Sequence, residues 1–195
     1  MISSDVSILI AGGNEQKLSL IELGLRADGY EHLSISVGLA GLAAMIERVQ
    51  PHAIIIQLEH STDLIQQGVL QLCRAVSKPT IVFVDKTDEA STDMAIEAGV
   101  AAYIVDGLKK ERIKPILQMA VSRFDNRSGM IRELETVRIE LEDRKVIDRA
   151  KGFLMQSKGI SEEQAYGLMR KTAMDQNRKV RDIANNLILA ADLLK

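Results

Sequence analysis

Five short apolar runs punctuate the first half of the chain: "SILIA" from Ser7, "HLSISV" from His32, "HAIIIQL" from His52, "TIVFV" from Thr80 and "AYIV" from Ala102. Each gap between them is long enough for a helix, and a strand followed by a helix and another strand predicts βα units around a parallel sheet. The gaps carry helical signals of their own. "LSLIELGLRADGY" has apolar residues at helical spacing and ends at Gly29, and "GLAGLAAMIERVQP" stops before Pro51. Five such units close by Phe124, so residues 1–124 are expected to form one α/β doubly wound domain.

Beyond Phe124 the strand signal disappears. Met130, Leu134, Val137 and Leu141 are spaced four, three and four apart, the seam of a short coiled coil flanked by mixed charges, and residues 125–145 are therefore expected to be a linker helix that pairs with a second copy. From Val146 the pattern becomes richer in core residues. Ile147, Ala150 and Leu154 share one face, and Gly159 in "SKG" marks the stop. Ser161 and Gln164 have the spacing of a capping box, with Glu162 and Glu163 in the first turn of a second helix. Its inward stripe is read as Ala165, Leu168, Met169 and Thr172. Val180, Ile183, Ala184, Leu187, Ala191 and Leu194 make the stripe of a third. Residues 146–195 are thus expected to be an all-α three-helix bundle.

Composition narrows the function classes. The longest apolar runs fall far short of the roughly 20 residues that span a bilayer, and the N-terminus lacks a basic region followed by a long apolar stretch, so the expected compartment is the cytoplasm without membrane contact. Cys73 is the one cysteine and sits in the apolar helical context "LQLCRAV", which rules out a disulfide within the chain and a cysteine metal cluster. The net charge of −2 conceals an asymmetry: between Arg144 and Arg181 there are ten Lys or Arg against four Asp or Glu. An anionic partner is expected there.

The first strand runs into Gly12 and Gly13, at the sheet edge where α/β proteins place their chemistry. Residues 6 to about 124 resemble the receiver domain of bacterial response regulators, a flavodoxin-like or CheY-like fold. In that family an acid pair after the first strand and an aspartate ending the third hold Mg²⁺ and accept a phosphoryl group. By spacing, the acid pair falls on Gly12 and Gly13, the acceptor on Gln57, the hydroxyl residue of the fourth strand on Val84 and the lysine after the fifth on Asp106. A neutral amide is a poor nucleophile, and the glycines read as filling an inactive corner with a tight turn. Asp85, Asp106 and Glu59 remain near that edge as loop carboxylates. "AGGNEQ" has neither G-x-G-x-x-G spacing nor a P-loop lysine, and His32, His52 and His60 lie in no catalytic pattern. No metal, cofactor or enzymatic activity is expected.

The C-terminal stretch "RKVIDRAKGFLMQSKGISEEQAYGLMRKTAMDQNRKVRDIA" resembles the ANTAR module, the RNA-binding output domain of transcription antiterminators, and with "FVDKTD" and "YIVDGL" the chain is similar to the NasT group of AmiR/NasT regulators. That resemblance implies binding to paired hairpin loops of a leader RNA, control of nitrate or nitrite assimilation, and a nitrate- or nitrite-sensing protein partner in place of phosphorylation. The residues themselves point the same way. Arg144, Lys145, Arg149 and Lys151 decorate the first bundle helix, Arg170 and Lys171 the second, and Arg178, Lys179 and Arg181 the start of the third. Tyr166 and Arg170, one turn apart, supply planar groups on which unpaired bases stack. The competing expectation is a protein-interaction regulator that sequesters or oligomerises partners, with RNA contact incidental.

Overall fold

The structure, a computed structural model, describes residues 6–62 and 68–193. Five strands, β1 (Ile8–Gly12), β2 (Leu33–Val37), β3 (Ala53–His60), β4 (Thr80–Lys86) and β5 (Ala102–Val105), form one parallel sheet in the order β2-β1-β3-β4-β5. Each of the five apolar runs of the sequence holds a strand. The described helices of this part are α1 (Glu15–Ala27), α2 (Leu42–Val49), α3 (Val69–Ala75) and α4 (Glu89–Glu97), and α5 begins at Lys110.

The apolar runs are unbroken because the inner strands are covered on both faces. Leu9, Ala11, Ile54, Ile56, Val82 and Val84 pack with Leu42, Ile46, Val69, Cys73 and Ala95 of α2, α3 and α4. The alternate residues Ile8, Ile10, Ile55, Ile81 and Phe83 pack with Leu18, Ile21 and Leu25 of α1 and with Ile113, Leu117 and Ala120 of α5. Burial pushes the Cys73 thiol up to about 11, which keeps it protonated and unreactive at neutral pH.

The expected break after Phe124 does not interrupt the backbone. α5 runs from Lys110 to Lys158 as one helix, while the compact units divide between Ser128 and Gly129. The reason is local: "DNRSGMIRELETVRIELEDRK" holds no proline, and its one glycine is tolerated in a helix at a cost of about 1 kcal/mol. Gly159 ends the helix in the left-handed region at φ 66°, its N–H donating to the Met155 carbonyl at 2.9 Å.

In the C-terminal unit α6 (Glu162–Asp175) and α7 (Val180–Leu193) pack with the end of α5 around Ala150, Leu154, Ala165, Met169, Ala173, Ile183 and Ala184. Ser161 and Gln164 close the capping box in both directions. One expected stripe is corrected. Leu168 is 44% exposed and Thr172 donates its hydroxyl to the Leu168 carbonyl, whereas Ala173 is buried. The inward line of α6 is therefore Ala165, Met169 and Ala173, spaced four and four, which keeps small residues where the helices approach. Leu194 lies outside the described residues.

Gly12 is glycine for a different reason from the turn expected of it. It lies in β1 opposite Gln57 of β3, and a Cβ at that point would stand 2.6 Å from the Gln57 carbonyl oxygen. Gly13 has open space where its Cβ would be. Gly12→Ala is expected to destabilise the N-terminal unit by about 1–3 kcal/mol, because backbone has to move, and Gly13→Ala by less than about 0.5 kcal/mol. Urea titration of the two variants checks the difference.

Candidate nucleic-acid interface

The C-terminal unit sorts its cations into two groups. Lys151, with only 16% of its side chain exposed, lies 2.6 Å from Asp148 on its own helix and 2.6 Å from Glu162 at the start of α6. It ties the first bundle helix to the second. The hydrogen bond to Asp148, followed by that to Glu162, holds the Lys151 ammonium above the usual lysine range, and the Lys151 hydrogen bond holds Asp148 below the usual carboxylate range. Arg181 lies 2.7 Å from Asp143, tying α7 back to α5, and Lys145 pairs with Glu142 at 3.1 Å. These three charges are already answered within the fold.

Arg170, Lys171, Arg178 and Lys179 are exposed and make no ion pair among the described residues. The turn between α6 and α7 gathers them. The Arg178 N–H donates to the Ala173 carbonyl at 2.9 Å and Asn177 takes the left-handed conformation, so Arg178 and Lys179 return the chain to the end of α6 where Arg170 and Lys171 stand. Cations there also meet the negative end of the α6 dipole. Arg149 is exposed on α5.

Tyr166, 43% exposed, lines a groove of about 700 Å³ with Arg144, Ile147, Lys151, Gly152 and Met155. Glu140, Asp143, Asp148 and Glu162 line it too, a set of carboxylates that the cation count along the sequence conceals. The C-terminal unit therefore does not present one basic surface: an exposed cationic end lies at the α6–α7 turn, and a mixed groove rich in carboxylates surrounds one edge of Tyr166.

The corner of the N-terminal unit at Gly12 and Gln57 is filled. Gln57 is 1% exposed, and neither atom of its amide has a hydrogen-bond partner among the described residues. Its Oε1 stands 3.1 Å from where a Gly12 Cβ would be, so the side chain occupies the space that the glycine leaves. Asp85 and Glu59 are strand-end residues rather than loop carboxylates, and both are engaged. Lys17 of α1 pairs with Asp85, and the Asn14 amide donates to Glu59 at 3.2 Å while its oxygen caps α1 by accepting from the Lys17 N–H. Val84 is buried, and Asp106 sits at φ 45° with its N–H on the Val84 carbonyl. Among the described residues no group of three or more His, Cys, Asp or Glu side chains is placed to hold a metal ion.

The neighbouring loop is tied down as well. Tyr103 and Thr87 share a hydrogen bond of 2.8 Å, and Asp88 accepts from the Ser91 N–H, the Ser91 hydroxyl and the Ser61 hydroxyl, which together hold its carboxyl below the usual range.

Residues 135–188 match the ANTAR domain family. The chain carries an ANTAR domain behind a receiver fold. It is 28% identical over 175 residues to the transcriptional regulatory protein PdtaR of Mycobacterium tuberculosis, covering 86% of this chain and 82% of that one. To the nitrate regulatory protein of Klebsiella oxytoca it is 35% identical over 78 residues, 40% of this chain and 19% of that protein. The N-terminal fold is similar to the signal receiver domain of a modulated diguanylate cyclase from Desulfovibrio desulfuricans, with a TM-score of 0.54 and 13% identity over 63% of this chain and 98% of that one. A CheY-like receiver domain from Methanospirillum hungatei gives 0.51 and 16% over the same shares. No described helix of this ANTAR-domain chain is long and apolar enough to cross a membrane.

Sequence reasoning placed the cations of the ANTAR domain on their helices but missed their partners. Asp143 and Glu162 read as solvated charges in a linear sequence, and only the packing of α6 and α7 on α5 brings them to Arg181 and Lys151. Glu162 in a helix first turn was the available signal, since it sits one turn before Tyr166.

Two outcomes follow from this geometry. Gln57→Leu keeps the volume and removes the orphaned amide, so it is expected to stabilise the receiver fold by about 1 kcal/mol, read by urea denaturation. Lys151→Ala is expected to lower the thermal midpoint of the ANTAR domain by ~2–4 °C. Because Asp148 is held down and Lys151 is held up, the difference from wild type is full at neutral pH. It fades in acid as pH falls through the Asp148 range, and in alkali as pH rises through the Lys151 range. Thermal melts across pH read both limits.

Proposed function

We propose that this ANTAR regulator is a transcription antiterminator: working as a homodimer, it binds paired hairpin loops of a leader RNA and stabilises the form that excludes the terminator. The observation that carries the reading is the exposed cationic end of the ANTAR domain at Arg170, Lys171, Arg178 and Lys179, charges without an ion pair among the described residues and suited to phosphate oxygens. Arg149 and Arg144 are further exposed cations on α5. Tyr166 offers a half-exposed ring for an unpaired base. Lys151 and Arg181 act on RNA through the packing they secure, since each already faces a carboxylate. The event is a choice between two RNA folds and needs no chemical step.

The similarity to a nitrate regulatory protein supports nitrate or nitrite assimilation genes as the target. With Gln57 in place of an acceptor, control passes to a sensor protein that binds nitrate or nitrite and holds the regulator until its ligand arrives. One observation favours a second reading, in which protein contact is primary. The groove beside Tyr166 presents Glu140, Asp143, Asp148 and Glu162, which repel phosphates and suit a basic protein segment.

Titration of a two-hairpin leader RNA at several salt concentrations separates the readings. Each of Arg170→Ala, Lys171→Ala, Arg178→Ala and Lys179→Ala is expected to weaken binding and to reduce the salt slope by about 1 if it removes a phosphate contact. Tyr166→Ala is expected to cost ~1–3 kcal/mol and Tyr166→Phe almost nothing. Folded variants that bind as well as wild type overturn the RNA assignment. Wild type that does not distinguish the leader from a loop-scrambled control moves the protein-contact reading ahead.

A further inference from the structure

A groove of about 780 Å³ lies at the amino edge of the sheet, the end away from Gly12 and Gln57. Residues that lead into strands supply one side of it: Val6 precedes β1, His52 precedes β3, and Lys78 and Pro79 precede β4. α5 supplies the other through Val121, Ser122, Phe124, Asp125 and Asn126, all ahead of the division between the two compact units.

The chemistry of the lining is divided in the same way. Lys78 and Asp125 carry opposite charges, and neither makes an ion pair among the described residues. His52 stands on the lysine side. The Ser7 backbone N–H, which can only donate, reaches the His52 Nδ1 at 3.2 Å, with the Ser7 hydroxyl at 2.9 Å, so the uncharged ring carries its proton on Nε2 and is a donor there. A cation and an imidazole thus belong to the strand starts and a carboxylate to α5, while Val6, Pro79, Val121 and Phe124 give the groove its apolar surface.

This lining selects among ligands. A phosphate ester would meet one cation and one repelling carboxylate, and a wholly apolar molecule would desolvate both charges without answering either. A molecule with a carboxylate at one end, an ammonium at the other and apolar groups between them answers every part. A volume of about 780 Å³ falls in the range that encloses ligands of drug size, and a single amino acid would leave most of it empty. We propose that this groove binds a short peptide with free termini, its carboxylate taken by Lys78 and His52 and its ammonium by Asp125. A bound peptide joins the strand starts to α5 and braces that helix on the sheet. The site draws on no residue of the ANTAR domain and is independent of the RNA reading.

Isothermal titration calorimetry on the full chain with alanyl-leucyl-alanine, its N-acetylated form and its C-terminal carboxamide tests the assignment. The free tripeptide is expected to bind, and each capped form to bind roughly tenfold more weakly, having lost one charge-assisted hydrogen bond. Lys78→Ala is expected to weaken the free and acetylated peptides by roughly tenfold and to leave the carboxamide unchanged, and Asp125→Asn to weaken the free peptide and the carboxamide and leave the acetylated form unchanged. Urea titration checks folding and occupancy together. Saturating tripeptide is expected to raise the wild-type midpoint but not that of Ser122→Trp, whose indole fills the groove. Binding that ignores the caps makes the groove an apolar docking surface and overturns the proposal. So do the absence of both heat and midpoint shift at millimolar peptide, binding that survives Ser122→Trp, and a loss on Lys78→Ala that is the same for all three ligands.

Discussion

Burial of β1, β3 and β4 on both faces is the constraint from which the rest of the N-terminal unit follows. Strands with no solvent face require helices on each side, and parallel neighbours require those helices as crossovers. The alternation of Ile8, Leu9, Ile10 and Ala11 between two apolar layers is the direct record of that requirement. With both layers committed, variation is left to the carboxyl edge of the sheet. There Gly12 leaves room for the Gln57 backbone and side chain, which a Cβ would meet at 2.6–3.1 Å. The fold is preserved because its core lies elsewhere.

That edge is held by a set of fixed contacts. Lys17 answers Asp85, Asn14 answers Glu59, Thr87 answers Tyr103, and Asp88 collects three donors. Here the ends of β3 and β4, the loop after β4 and the first turn of α1 are joined by neutral and ion-paired contacts. Gln57 is the exception, a buried amide without partners, and its cost is tolerable because one such group is small beside the two apolar layers.

The strands and most helix ends were legible in the sequence, since "HAIIIQL" and "TIVFV" admit few alternatives and Ser161 with Gln164 writes its own cap. What escaped were contacts between residues distant in the chain. The role of Gly12 depends on Gln57, 45 places away, and appears only in the β1–β3 register. Leu168 and Ala173 compete for the inward line of α6, and apolarity alone chooses the wrong one, because close helix approach selects the smaller side chain. The cations of the candidate site were found where the sequence put them. Which of them are answered by Asp143, Asp148 and Glu162 depended on how three helices meet.

The distribution of aromatic rings has a practical consequence. The chain contains no tryptophan and three tyrosines. Tyr30 is enclosed in the receiver core and Tyr103 is bonded to Thr87, and desolvation raises the ionisation range of both phenols. Tyr166 is thus the one phenol of the ANTAR domain, and it stands half in solvent. Its ultraviolet emission is an intrinsic optical reporter at the groove, sensitive to any ring or charge brought against it. The ANTAR domain can be watched at this groove with no dye attached.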